Sequence, residues 1–392
     1  MTRRSSHVLA AIVAALGAAA TARFFSASSP TAYGATPPAS TIVRGPYLQG
    51  TSATGTLVLW QTEGSAAEGA SLDGGTPEPG GSGSSHQVSF GGLAALTTHT
   101  YSIVDTTSGG VLAGPIPFRT APANGAATPF TILAMGDSGD GTDAQEDLAA
   151  EIAGETFDLV LHAGDVVYPS GGIADYLQHY FVPYASVIAN HCVFPTLGNH
   201  DLDEATAPGY FNTFVIPTNG PDSTRHDYAF TWGCMHVVVL DDWTIQKTPP
   251  SPAFISWLES ELSASTSTWQ VVLMHVPAFS SGSEYAQAKP VKQWFVPIFE
   301  TYHVDLVLVG HDHAYERLVP IQITTGSGAR PVQYVLTGGA GGRPSTIKTT
   351  LPETVVRKEV THFLLLDVTT TQIHGRALGL EGTVIDDFTL SK

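Results

Sequence analysis

Five short polar clusters hold residue types that bind metal. They are Gly136-Asp137-Ser138-Gly139, Gly164-Asp165-Val166-Val167-Tyr168, Gly198-Asn199-His200-Asp201, Met274-His275-Val276-Pro277 and Gly310-His311-Asp312-His313. Asp137, Asp165, Tyr168, Asn199, His275, His311 and His313 form a set of oxygen and imidazole donors without a thiolate. Such a set suits Zn2+, Mn2+ or iron and disfavours Cu(I) or an iron–sulfur cluster. It offers too many ligands for one catalytic metal, which must keep a position open. It suits two metals sharing a bridging carboxylate, a pair roughly 3.5–4 Å apart that clamps an in-line displacement at phosphorus. Each cluster alone has a plainer reading, since an Asp after a strand often caps a helix or forms a turn. All five in order, each after an apolar run, point to one site.

The elements that must position these residues are legible as hydrophobic patterns. Apolar strands are expected at 130–135, 159–161, 193–197, 236–240, 271–274 and 306–309. Helices are expected after Thr142 or Asp143, with Leu148 and Ile152 on one face, and over 172–190, 252–264 and 288–302. Alternating strands and helices imply an α/β layer fold with mostly buried strands. In such sheets the crevice beyond the carboxyl ends of the strands is where sites are built, and every polar cluster lies at such an end. Residues 332–337, 362–368, 373–379 and 384–390 read as strands that complete a second sheet. Residues 41–122 carry strand signals only, with a Gly/Ser-rich loop over 74–85, and suggest a small β-sandwich. No cluster of His, Asp or Glu is evident there, so no chemistry is assigned to it. Residues 123–127 read as a linker.

The 392 residues carry a formal charge of −18, with 43 % hydrophobic residues and two cysteines. That hydrophobic fraction excludes disorder of the whole chain. The acidic balance argues against a nucleic-acid-binding surface, which needs a basic face. It leaves room for a small phosphorylated substrate, because bound metals supply local positive charge. Arg3 and Arg4, the apolar run Val8–Ala20 and Ala20-Thr21-Ala22 have the three parts of a secretory signal peptide over residues 1–22. Residues 23–40 follow as a flexible leader. No later stretch is long and apolar enough for a membrane span, and the expected location is secreted, periplasmic or cell-surface. Cys192 and Cys234 are either a disulfide, which export permits, or two buried thiols.

These motifs together resemble the calcineurin-like metallophosphoesterases, and specifically the purple acid phosphatases, over about residues 41–390. Tyr168, three residues after Asp165, is the specific feature, and Gly310-His311-Asp312-His313-Ala314-Tyr315-Glu316-Arg317 is similar to the family block. The resemblance implies a four-layer αββα sandwich over 128–392, preceded by a fibronectin III-like domain over 41–122. It implies Asp137, Asp165, Tyr168 and His313 around Fe3+, and Asp165, Asn199, His275 and His311 around a divalent ion (Zn2+, Mn2+ or Fe2+), with Asp165 bridging. A phenol ionises poorly at low pH, and a trivalent cation makes that ionisation easy. The implied reaction is hydrolysis of phosphomonoesters by attack of a metal-bound hydroxide, with His200 contacting the phosphate or leaving group. Two departures stand out. Asp312 occupies a position where an apolar residue is commoner. The segment after His275 lacks the histidines that plant members use to protonate the leaving group, with Glu284 or Tyr285 the nearest substitutes. Other readings are a phosphodiesterase or nucleotide hydrolase of the same superfamily, or a non-catalytic extracellular binding module on this fold.

Overall fold

The computed structural model describes residues 41–392 apart from 65–66, 203–205, 223, 225, 283–287, 327 and 347–348. The signal segment, the leader, Glu284 and Tyr285 lie outside the described residues. The chain begins with seven strands: β1 (Ile42–Gln49), β2 (Gly55–Thr62), β3 (Glu68–Leu72), β4 (Glu78–Pro79), β5 (Ser85–Gly91), β6 (Thr98–Asp105) and β7 (Val111–Arg119). They form two antiparallel sheets, β1-β2-β5 and β4-β3-β6-β7. Alternate residues of β2 and β5 point inward, so Val58, Trp60, Val88 and Phe90 meet Ala70, Tyr101 and Ile103 in one core. Two details correct the sequence reading. β4 interrupts the Gly/Ser-rich stretch and pairs with β3. The sandwich also contains a buried acid–imidazole pair. Glu68 Oε2 accepts from Trp60 Nε1 at 2.8 Å and lies 3.3 Å from His86 Nε2, tying β3 of one sheet to β2 and β5 of the other.

The remaining chain runs β8 (Phe130–Met135), α1 (Asp143–Ile152), β9 (Leu159–His162), α2 (Ile173–Tyr176), α3 (Ala185–Ile188), β10 (Cys192–Pro195), α4 (Pro208–Thr213), β11 (Tyr228–Trp232) and β12 (Met235–Val239). It continues through α5 (Pro252–Ala264), β13 (Trp269–Leu273), α6 (Ala288–Trp294), α7 (Val296–Thr301), β14 (Leu306–Val309), β15 (Tyr315–Leu318), β16 (Gln333–Thr337) and β17 (Thr354–Lys358). β18 (His362–Val368), β19 (Gln372–Gly379) and β20 (Thr383–Ser391) close it. Two sheets result, β10-β9-β8-β18-β19-β20 and β11-β12-β13-β14-β16-β15-β17. The strands that lead into the polar clusters run parallel within each sheet.

The four layers follow from residues that are apolar on both strand faces. In the second sheet Val237, Val271, Leu306 and Val335 face the first sheet, where Ala134, Leu161 and Leu364 share the facing side. Their neighbours Val238, Val272, Val307 and Leu336 face outward onto Phe254 and Leu258 of α5, Val291 of α6 and Phe299 of α7. Leu148 and Ile152 of α1 cover the outer face of the first sheet, and Thr142 caps that helix by accepting from Gln145 N at 3.2 Å. The architecture is the four-layer αββα sandwich.

Three expectations change. The helix expected over 172–190 is broken into α2, a π-helical turn at Leu177–Phe181, and α3. Pro183 cannot donate the hydrogen bond that a continuous helix needs. The helix expected over 288–302 divides into α6 and α7, with Pro297 in the first turn of α7. The late strands do not all complete one second sheet. β16 inserts beside β14, whereas β18, buried at nearly every position, pairs antiparallel with β8 and extends the first sheet through β19 and β20. Cys192 and Cys234 are both buried free thiols, and burial pushes the Cys192 thiol up to about 11.

Candidate metal centre

All five clusters meet where the carboxyl ends of the two sheets' parallel strands come together. The first residues beyond β8, β9 and β14 leave their strands sharply. Asp137, Asp165 and His311 have φ of 58°, 48° and 72°, a left-handed conformation uncommon for non-glycine residues. Gly164, at φ +84°, allows a close approach, since a Cβ there would lie 2.7 Å from His275 Nδ1. Gly198 has the same duty toward Asp165, whose carboxylate would collide with any side chain at that position.

The donors fall into two overlapping groups. In one, the Tyr168 hydroxyl lies 3.2 Å from Asp137 Oδ1, 3.2 Å from Asp165 Oδ2 and 2.9 Å from His313 Nε2. In the other, His275 Nε2 lies 3.1 Å from Asn199 Oδ1, 3.2 Å from His311 Nδ1 and 3.5 Å from Asp165 Oδ2. Asp165 Oδ2 belongs to both. Asp165, His275 and His311 each offer an atom within 4.8 Å of the others. Asp137, Asp165 and His275 are fully enclosed, with exposures of 0–1 %.

The surrounding hydrogen bonds aim these atoms. His275 Nδ1 donates to Ala163 O at 2.8 Å, and His313 Nδ1 donates to Arg343 O at 2.7 Å. Each ring therefore turns its Nε2 inward, as an outer-sphere partner does for a metal-binding histidine. His311 Nε2 is buried without a hydrogen-bond partner while its Nδ1 faces the cluster. Two imidazole nitrogens, an amide oxygen and a carboxylate converge on one point, an arrangement that can hold a cation.

The charge balance agrees. Burial, partly offset by His275 and His313, pushes Asp137 up to about 7. Burial opposes ionisation of Asp165 too, but the positive charge and hydrogen bond of His275 outweigh it and hold the carboxyl below its ordinary value. His275 overcomes its own burial through Asp165, Asp137 and Asp242 and rises to about 10. Burial, then Asp165 and Asp137, push the Tyr168 phenol well above 10. Buried acids and imidazoles that shift one another in this way form the kind of charged cluster that a cation balances.

Two buried carboxylates hold the loops. Asp201 accepts from Val166 N at 3.2 Å, Gly198 N at 2.9 Å and the Tyr176 hydroxyl at 2.8 Å. Asp242 accepts from His275 N at 3.0 Å and Val276 N at 2.8 Å. Sequence reasoning assigned neither, although Asp241-Asp242 follows β12 as the other clusters follow their strands. The absence of a histidine there hid the sixth cluster. Ser345 was missed too, and its Oγ accepts from His313 N at 2.8 Å.

His200 stands beside the donors. Its Nδ1 donates to Pro169 O at 2.6 Å, its backbone N donates to Asp165 Oδ1 at 2.8 Å, and its ring lies 4.6 Å from that of Tyr168. It lines a cleft of about 340 Å3 together with Asp165, Asn199, Trp243, His311, His313 and Ser345. Asp312 turns away from the donors and accepts from Ser280 Oγ. His162 is buried against Ser138 Oγ at 2.9 Å. His226 pairs with Asp241, His236 contacts Thr231, and His303 contacts Gly328 O, all outside the cluster. Asp143, Glu146 and Asp147 are exposed at the start of α1, and Asp140 lies 3.8 Å from Arg343.

With this geometry in place, the profile of the calcineurin-like phosphoesterase family matches residues 130–315, the stretch from β8 to β15 that carries every donor. The chain carries a calcineurin-like phosphoesterase domain. The chain is 33 % identical over 133 residues to purple acid phosphatase 1 of Ipomoea batatas, covering 31 % of the chain and 28 % of that protein. It is 29 % identical over 221 residues to the purple acid phosphatase of Glycine max, covering 51 % of the chain and 46 % of that protein. In both cases the chain spans less than two thirds of the relative's length. The structure of a purple acid phosphatase from yellow lupin (Lupinus luteus) seeds superposes with a TM-score of 0.75 at 18 % identity, covering 89 % of this chain and 74 % of that one. Among the described residues no helix is long and apolar enough to cross a membrane.

Proposed function

We propose that this phosphoesterase is an exported acid phosphatase that hydrolyses small phosphomonoesters at a pair of metal ions. The observation that carries the reading is the shared Asp165, whose Oδ2 lies within 3.2 Å of the Tyr168 hydroxyl and 3.5 Å of His275 Nε2. Asp137, Asp165, Tyr168 and His313 would hold one ion, Fe3+, and Asp165, Asn199, His275 and His311 a divalent one. The pair supplies Lewis-acid activation of water and of the phosphoryl oxygens. Asn199 is a neutral donor, so its ion keeps more positive charge than a third carboxylate would leave.

The chain's own residues do the rest. The buried carboxylates set the donors and hold them through Asp201 and Asp242. His200, with Nδ1 committed to Pro169 O, is kept at the rim of the cleft. There it contacts the phosphoryl group or hands a proton to the departing oxygen. Residues 128–392 constitute the catalytic domain, and residues 41–122 a fibronectin III-like domain against it. Export rests on residues 1–22, with their paired arginines, apolar run and small-residue cleavage site.

The test uses the purified chain with p-nitrophenyl phosphate and its bis-ester. Hydrolysis of the monoester at least tenfold faster is expected, and preference for the diester would favour a phosphodiesterase. Tyrosinate on Fe3+ gives a visible charge-transfer band, so the protein should be coloured. Tyr168→Phe should remove the band and leave the fold, and a band that survives the substitution removes the Fe3+ assignment.

A further inference from the structure

From the wall of the cleft we propose that Trp243 is a stacking platform for the leaving group, and that the substrates are phosphomonoesters of flat aromatic alcohols. The proposal rests on the phosphomonoesterase reading above. Trp243 is half-buried, and its ring centroid lies 5.7 Å from that of His311 at 52°. An indole thus sits beside one of the metal donors, in a cleft whose other walls are Asp165, Asn199, His200, His311, His313 and Ser345. It is the apolar surface among those walls, and among the described residues no lysine or arginine side chain joins them.

The indole is held in place before anything binds. Asp241, two residues before it, accepts from Thr244 N at 3.1 Å and Thr244 Oγ1 at 2.7 Å, closing a turn around Trp243. Asp242 fixes the same segment to the backbone of His275 and Val276. Trp243 O accepts from Gln246 N at 3.0 Å, and the ring rests against the apolar core beneath α5 and α6. A side chain fixed in this way loses little freedom when a ring stacks on it.

A second observation points the same way. Residues 276–282, which follow His275, contain no histidine. A phenol departs as a weakly basic oxyanion that scarcely needs a proton, whereas an alkoxide needs one badly. A site with one candidate acid among its described walls, His200, and an aromatic wall suits aryl esters on both counts. The formal charge of −18 also disfavours leaving groups that carry further phosphates.

The experiment uses the metal-loaded full chain, Trp243→Ala and Trp243→Phe, each checked for equal metal content. Two ratios are measured. One is kcat/KM for phenyl phosphate over glycerol phosphate. The other is the calorimetric affinity for phenylphosphonate over methylphosphonate, neither of which can be hydrolysed. Wild type should favour the aromatic member in both. Trp243→Ala should lower both ratios by roughly three- to tenfold, the worth of an aromatic pair, and Trp243→Phe should keep most of the preference. Ratios unchanged in Trp243→Ala, or a wild type without aromatic preference, overturn the platform. A wild type that hydrolyses no ester yet prefers phenylphosphonate, with the preference lost in Trp243→Ala, overturns the phosphatase reading and leaves the platform standing.

Discussion

The two sheets of the αββα body bring different atoms to their common edge. Loops beyond β8, β9 and β10 of the six-stranded sheet deliver Asp137, Asp165, Tyr168 and Asn199, all oxygen donors. Loops beyond β13 and β14 of the seven-stranded sheet deliver His275, His311 and His313, all nitrogen donors. Each half has its own buried carboxylate. Asp201 gathers the backbone N–H groups of Val166 and Gly198 on the oxygen side, and Asp242 gathers those of His275 and Val276 on the nitrogen side. Burial pushes both of these carboxyls up to about 7. Neither sheet alone offers a complete site. The division teaches that metal ions would act here as cross-links between sheets as well as chemical agents, so that metal affinity reports on the seam.

The largest effect should come from the atom that belongs to both groups. Asp165→Asn takes a negative charge from between two cations, so both ions should weaken together. Activity should fall by roughly a thousandfold or more. Metal analysis would show it, and two ions held at wild-type affinity would break the comparison at its centre. Next is His200→Ala, which should keep both ions and lower kcat/KM by roughly 10²–10⁴. The loss should be greater for alkyl than for aryl phosphates if His200 donates a proton, and equal for both if it only positions the phosphoryl group. Loss of metal in this variant would make His200 a support of the donor set.

The carboxylates that hold the backbone sharpen the comparison at a smaller scale. Asp201→Asn and Asp242→Asn each place an NH2 where a second acceptor oxygen was needed. Each should cost about 10–100-fold in metal affinity, as outer-sphere changes do. Both should act first on the divalent ion, Asp201→Asn through Gly198, Val166 and the donors Asn199 and Asp165, and Asp242→Asn through His275. Loss of the other ion first in either variant would mean that the clamp does not act through those donors.

The donor atoms of this seam were legible in the sequence because each follows an apolar strand directly. Position after a strand end is local information. The clamps were not legible for the opposite reason. Asp201 and Asp242 work on backbone N–H groups between three and 35 positions away, and a carboxylate that binds backbone looks like any turn-forming Asp. Trp243 was passed over because a lone tryptophan after a strand reads as core. The strand order escaped in the same way. Nothing local in His362–Val368 says that it pairs with β8 from 234 positions upstream, across the register Leu366 to Ile132. Proline mattered more than periodicity in the helices, where Pro183 and Pro297 broke patterns that hydrophobic spacing alone had joined.

The smallest effect concerns the seam away from the metals. His362 of the six-stranded sheet lies 5.4 Å from Tyr315 and 3.2 Å from Thr337 Oγ1, both on the seven-stranded sheet. Burial lowers the imidazole to about 4. Above pH 6.5 it is neutral in both folded and unfolded chains. As pH falls below 6.5 the unfolded chain takes the proton first, so stability is lost progressively down to about pH 4, below which both states carry it. Between pH 6.5 and 5.5 that loss should be about 1 kcal/mol. A fall in Tm across that interval that is smaller in His362→Gln than in wild type is expected. Identical falls would mean that His362 is not held neutral.

The central claim is that one seam between two sheets holds two metal ions and needs them for phosphomonoester hydrolysis. The most direct measurement is metal content and p-nitrophenyl phosphatase activity on the same purified sample, before chelation, after it, and after metal is restored. The account predicts about two ions per chain, loss of activity in step with their removal, and recovery when both return. A chain that hydrolyses the ester at full rate after its metal is gone, or one that takes up no metal at all, would contradict it.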